Sequence, residues 1–190
     1  MCAAHRRSDA AATAVAPPSA LPRAAGRRDR RRLARARRRG VEAGQDVVIG
    51  RDVVFDLGAG ARVALGDGVA LDDGCRLHVA AGGVVTIGAG TRLGARCAVT
   101  AQRAVTIGDR CLVADEVVVI DAEPRTADVE RPVREQGLAA RPIVIGDGVR
   151  VGPSAAILAG TTIPGGAVIG ARAVVRREAQ PPLPSPPRGA

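Results

Sequence analysis

From Ile49 to Ile169 the chain places an aliphatic or Phe side chain at the start of every six-residue unit. The starts fall at 49, 55, 65, 71, 77, 87, 93, 99, 107, 113, 119, 145, 151, 157, 163 and 169, sixteen units in all. Eight of the sixteen are followed directly by Gly, as in Ile87-Gly88, Leu93-Gly94 and Ile107-Gly108. The fifth position is small or β-branched in fourteen, with Arg103 and Glu123 the departures. A six-residue period fits neither a 3.6-residue helix nor a strand of simple alternation. It fits a solenoid in which three short flat strands make one triangular coil of about eighteen residues.

The pattern predicts an all-β left-handed parallel β-helix. The first residue of each unit stacks inward on its equivalent one coil away, about 4.8 Å distant. The small fifth residue lets the chain round the corner, and the Gly relieves crowding there. Cys75, Cys97 and Cys111 occupy fifth positions, which makes them core thiols rather than nucleophiles. Over-long units span 55–64, 77–86, 99–106 and 119–144, and each is the third of its coil. The insertions therefore stack on one edge of the prism.

Composition agrees with a narrow core. There is no Trp or Tyr, and Phe55 is the single aromatic residue. Charge divides the chain. Residues 1–40 carry twelve of the 28 Arg against Asp9 and Asp29, a net of +10, so the remainder sums to −1. Three regions follow: an arm over 1–40, disordered in its Ala/Pro/Arg-rich first 25 residues with a short Arg-rich helix at 27–39 ended by Gly40; the β-helix domain over 41–177; and a Pro-rich tail over 178–190, where five Pro in thirteen residues forbid another coil. Twelve Arg could neutralise phosphates. However, the arm lacks aromatic residues for base stacking and an apolar face for insertion, which argues against nucleic acid or an anionic membrane surface as its partner. No apolar run is long enough for a membrane span, and no Leu-rich signal segment follows Arg6-Arg7. Four Cys without Cys-x-x-Cys spacing indicate no disulfide scaffold and no zinc site, so a reducing cytoplasm is the expected compartment.

The stretches Arg141-Pro142-Ile143-Val144-Ile145-Gly146-Asp147-Gly148, Leu158-Ala159-Gly160-Thr161-Thr162-Ile163 and Ala167-Val168-Ile169-Gly170-Ala171 resemble the final coils of hexapeptide-repeat acyltransferases of the maltose and galactoside O-acetyltransferase type. The loop from Asp121 to Gln136 resembles the loop preceding those coils. The resemblance covers about residues 40–178. It implies a homotrimer with active sites between neighbouring prisms, acyl-CoA (acetyl-CoA) as co-substrate without a metal, and a small polar acceptor such as a sugar. In that family a loop His takes the proton from the acceptor hydroxyl as it attacks the thioester.

This chain departs from the pattern at the base. The family's Asp-x-x-His reads Asp121-Ala122-Glu123-Pro124, so Pro124 occupies the His position. Arg150 stands where the family has Trp, and Gly94 where it has Asn. The remaining His residues are His5 and His78. His78 lies on the insertion-bearing edge, two coils from Asp121, and is either a surface hydrogen-bonding residue or a substitute base delivered across the trimer interface. Asp121, Glu123 and Asp128 are carboxylate alternatives, with surface solvation as the plain reading of each. On the CoA side the family positions fall on Pro153, Ala171, Arg176 and Arg177. The Arg pair suits phosphate, or is simply solvated at the end of the last coil. Two functions stay open: an acyl-CoA-dependent O- or N-acyltransferase, or a catalytically silent trimer kept for structure or partner binding. A γ-type carbonic anhydrase needs three His ligands, which two cannot supply.

Overall fold

The computed structural model describes residues 26–128 and 130–177. The expectations for residues 1–25 and 178–190 lie outside the described residues.

The chain winds into a left-handed parallel β-helix of six coils, each contributing one strand to each of three faces. The first face runs from Val41–Ala43 through Arg62–Leu65, Val84–Ile87, Ala104–Ile107 and Ile143–Ile145 to Thr162–Ile163. The second runs from Val48–Ile49 to Val168–Ile169, and the third from Val54–Leu57 to Val174–Val175. Register follows the hexads: Leu65 pairs Ile87, Ile87 pairs Ile107, Ile107 pairs Ile145 and Ile145 pairs Ile163. Leu65 and Ile163 are buried, and Ile87, Ile107 and Ile145, with Leu71, Leu93, Leu77 and Ile157 on the other faces, are among the largest fully buried side chains. Such a stack needs no rings, because the axis of a three-sided coil has room for one aliphatic side chain per face. Two units lie beyond those counted in the sequence: Ala43 pairs Leu65 in the first coil, and Val175 pairs Ile157 in the last. Ala43 escaped the pattern because it is small where its equivalents are large.

The corners carry two kinds of backbone constraint. The second-position glycines are pressed by the next coil. A Cβ on Gly152 would lie 2.5 Å from the Ala171 nitrogen, and one on Gly94 would lie 2.6 Å from the Ala114 carbonyl carbon. The turn itself is made one step earlier than expected, at the fourth position. There Asp52, Arg96, Arg110, Glu116, Ser154 and Arg172 all adopt φ between 51° and 61°, and Gly68, Gly90 and Gly148 take the same region. Polar and charged side chains tolerate that left-handed geometry on the solvent side of a corner. Several corners are then tied to the next coil by a carboxylate. Asp73 accepts the N–H of Arg51 at 2.7 Å, Asp109 that of Ala89 at 2.7 Å, and Asp115 that of Ala95 at 2.8 Å.

The helix α1, Arg27–Arg37, closes the first coil. Ala36 is buried in the core cluster and Leu33 packs against it. The first coil exchanges hydrogen bonds with the coil above, as from Gly44 to the Leu65 carbonyl and from Gly74 to the Arg51 carbonyl, while the carbonyls of Ala43, Ile49 and Phe55 face the open end. One arginine meets each face: Arg37 donates to the Ala43 carbonyl at 2.8 Å, Arg32 to Ile49 at 3.1 Å and Arg39 to Phe55 at 3.3 Å. The Arg-rich segment expected as part of an arm is thus, over its described residues, the lid on an open strand edge. No described helix is long and apolar enough to cross a membrane.

Candidate functional site

All insertions stack on the edge between the third and first faces. The longest leaves the fourth coil after Val118–Ile120 and returns at Ile143. Its base is an antiparallel pair, Ala122–Pro124 against Leu138–Ala140. Gln136 ties the loop above it, donating from Nε2 to the carbonyls of Asp128 and Arg131 while Oε1 accepts the Asp128 N–H.

The loop residues differ sharply in environment. Asp121 is wholly buried. Its Oδ1 accepts the N–H of Gln102 at 2.6 Å, and its Oδ2 accepts those of Arg103 at 2.7 Å and Ala104 at 2.8 Å. The buried carboxylate holds the insertion turn of the coil below. Glu123 is half-buried, opposite Ala139. Pro124 is exposed, opposite Leu138, and Asp128 is exposed with its Oδ1 accepting the Glu130 N–H at 3.0 Å.

His78 stands on the outer surface of the third face, in a column with Asp56 below and Thr100 above. Its Nδ1 lies 2.8 Å from Asp56 Oδ2, and half of its side chain is exposed. That contact orients the ring and leaves Nε2 to solvent or a ligand. Two ladder steps separate His78 from Ile120, about 10 Å by strand spacing.

The expected CoA positions divide between two edges. Pro153 and Ala171 occupy the corner between the second and third faces, where the Pro153 carbonyl accepts the Arg172 N–H at 2.9 Å. Gly94 lies on that same edge, two coils below Pro153, and has no space for a side chain. Arg177 crosses the third face to the insertion edge. Its Cδ lies 3.6 Å, and the Cδ of Arg141 3.2 Å, from where a Cβ of Gly160 would stand. Gly160, at φ +76°, gives its N–H to the Arg141 carbonyl at 3.1 Å, and Arg141 gives its own to the Asp121 carbonyl at 2.7 Å. The hairpin foot and two guanidinium stems therefore meet at one corner. Arg141 was not singled out by sequence. The available signal was Gly160, a left-handed corner without a side chain, lying one coil above Arg141. Arg150 lies on the second face, paired with Leu112 and Val168.

The three core thiols are buried, and their sulfurs donate to the carbonyls of Gly94, Ala114 and Gly146, each at 3.1 Å. The adjoining Cys97 sulfur and burial push the Cys75 thiol far above the ordinary cysteine range, and burial pushes Cys111 up as well. Neither is a nucleophile. Among the described residues no three His, Cys, Asp or Glu side chains are grouped to hold a metal ion.

Comparison with known proteins finds a hexapeptide-repeat likeness in two stretches of the chain. Residues 84–120 and 142–177 match the family model described as "Hexapeptide repeat of succinyl-transferase". A Mycobacterium tuberculosis protein named as a probable acetyltransferase is 39% identical over 69 residues, 36% of this chain, and the chain spans 23% of that relative's length. Among solved structures, AntD, an N-acyltransferase from Bacillus cereus in complex with dTDP and 3-hydroxybutyryl-CoA, superposes with a TM-score of 0.62 at 18% identity, over 76% of this chain and 77% of its own. A single-site mutant of the same enzyme, in complex with dTDP-4-amino-4,6-dideoxyglucose and coenzyme A, gives 0.63 at 19% identity, over 76% and 78%. At that identity the likeness is one of fold.

Proposed function

We propose that this protein is an acyl-CoA-dependent acyltransferase that moves an acyl group, acetyl in the first instance, to a hydroxyl or amine of a sugar or other small polar acceptor. The observation that carries the proposal is the corner at which Arg141 and Arg177 flank Gly160 at the foot of the 121–144 hairpin. Two guanidiniums there offer bidentate donors to a phosphate, next to the one loop long enough to cover an acceptor. The matched hexapeptide repeats and the N-acyltransferase fold of the solved neighbours support the same reading. For a homotrimer the first face offers a surface whose outward column is uncharged above Glu42, through Ala64, Thr86, Thr106 and Val144. The maltose and galactoside type is one member of the proposed acceptor class, and an amino sugar is another.

Acyl-CoA, when bound, supplies the activated thioester carbonyl. Arg141 and Arg177, with Arg176 beside them and Pro153 and Ala171 across the third face, would bind and orient it. The proton of the attacking hydroxyl or amine needs an acceptor that Pro124 cannot be. His78, held by Asp56 and brought from a neighbouring subunit, is the first candidate, and Glu123 on the hairpin is the second. Asp121 is the weakest of the substitutes, since three N–H groups already occupy its oxygens.

Purified protein incubated with acetyl-CoA and a panel of sugars and amino sugars, including dTDP-4-amino-4,6-dideoxyglucose, should release free thiol above the water blank. Loss in His78→Asn with survival in Glu123→Gln assigns the base to His78, and the reverse assigns it to Glu123. A second reading, a catalytically silent trimer with a structural or partner-binding role, is favoured by the Pro at position 124. No release across the panel, with no CoA-dependent rise in Tm, would establish that reading instead.

A further inference from the structure

At the opposite end of the prism a cleft of about 650 Å³ opens between α1 and the first coil. Arg32, Arg35, Arg39 and Arg51 line it above an apolar floor that includes Val53 and Phe55, and Asp52 is the carboxylate among its lining residues. Two of the four guanidiniums are fixed by main-chain carbonyls, Arg32 on Ile49 and Arg39 on Phe55. Each spends one N–H in that contact, so several of its five donors stay available. Arg32 also faces Asp29 at 3.6 Å, and Arg51 pairs with Asp73 at 2.7 Å. Arg39 makes its contact to a neutral carbonyl, and Arg35 makes no hydrogen bond or ion pair among the described residues.

Like charges on solvated arginines ordinarily spread apart. Here the backbone contacts of Arg32 and Arg39 hold two of them at a shared concave wall, and α1 carries Arg35 one turn from Arg32 on the same side. Four guanidiniums against the single lining carboxylate of Asp52 leave the cleft net positive over an apolar floor, which favours an anion with more than one charge. Planar forks meet phosphate oxygens in pairs.

We propose that this cleft binds a phosphate- or diphosphate-bearing small molecule, its anionic end on Arg35 and Arg39 and its apolar part against Val53 and Phe55. The site stands apart from the Arg141–Arg177 corner. Gly160, at the centre of that corner, lies in the fifth coil, four coil steps from the first, about 19 Å along the axis. The proposal is therefore independent of the acyl-transfer reading.

Inorganic pyrophosphate titrated calorimetrically into the full-length protein tests it, because pyrophosphate carries the anionic chemistry without the adenine that would also recognise a CoA site. Saturable binding is expected, weakened about tenfold in Arg35→Gln, the loss of one charge-assisted contact. Arg31→Gln, the same charge change on α1 outside the cleft, should move binding by about twofold or less. The same titration in the Arg176→Gln/Arg177→Gln background removes any second class of phosphate sites at the acyl-CoA corner, and the binding lost in Arg35→Gln should persist there. The Arg35→Gln/Arg39→Gln pair should abolish it, and far-ultraviolet circular dichroism reports whether that variant still folds. Non-saturable binding, or equal loss in Arg31→Gln and Arg35→Gln, would mean diffuse attraction to a basic segment and would overturn the site.

Discussion

The Asp121 carboxylate receives the main-chain N–H of Arg103 at 2.7 Å from the coil below, and the same oxygen takes Ala104 at 2.8 Å. Its other oxygen takes Gln102, so one buried side chain satisfies three consecutive donors of an insertion turn. Asp121→Ala should cost about 2–4 kcal/mol in urea unfolding, since it strands buried N–H groups that the carboxylate now satisfies. Asp121→Asn, with one acceptor oxygen, should fall between. If Asp121→Asn instead unfolds like the wild type while acyl transfer collapses, Asp121 is chemical rather than structural.

The scaffold was readable because its determinants are periodic. Ile87, Ile107 and Ile145 repeat at one station of the coil, and the grouping of 55–64, 77–86, 99–106 and 119–144 as third units located the insertion edge directly. What was not readable depends on contacts between coils. Asp121 carries the same letter whether it binds a proton or a turn, and only its three partners decide. The left-handed fourth position was hidden because Arg96, Glu116 and Ser154 share a backbone geometry rather than a chemical type. The capping work of Arg32, Arg37 and Arg39 was masked by the charge run around them, which reads as an arm until the carbonyls of Ile49, Ala43 and Phe55 are found beneath it. Pro124 is the reverse case. The sequence alone excludes it as a base, and no structure was needed.

Gly152→Ala should destabilise the last two coils by about 1–3 kcal/mol, because the added methyl meets the backbone at Ala171 rather than a side chain that can swing away. Gly170→Ala, whose Cβ would meet nothing within 4 Å, is the matched control and should be neutral or nearly so. Thermal unfolding of both variants checks the pair. Equal Tm values would mean that the coils can separate by a few tenths of an ångström at no cost.

The Arg51 main-chain N–H and guanidinium hold Asp73 below the usual carboxylate range. A depressed folded-state pKa adds stability that is present above the unfolded value, about 4, and is lost as pH falls through the lower folded value. The wild type should therefore hold a constant Tm advantage over Asp73→Asn at neutral pH and lose it below about pH 4. Because Asp73 is solvent-exposed, the advantage should be small and should shrink with added salt. A Tm difference that grows on acidification would reverse the sign and refute the assignment.

Arg141 and Arg177 give the acyl-CoA proposal its most direct test. Their stems approach each other over the bare corner of Gly160, one from the end of the hairpin and one from the end of the last coil. A phosphate bound between them would receive donors from both, so each single substitution to Gln should weaken CoA about tenfold, the scale of one charge-assisted contact. The two losses should fall short of additive, since removing either fork frees the ligand to shift toward the other. Arg62→Gln, an exposed arginine on the first face four coils below the last, should leave CoA affinity unchanged. Gly160→Ala probes the same corner without touching charge. Its methyl would press on the Arg141 side chain at 3.2–3.3 Å and strain a residue at φ +76°, so it should weaken CoA alongside a fall in Tm. CoA affinity that survives both arginine substitutions would move the co-substrate to the Pro153–Ala171 edge and leave the hairpin corner without a ligand.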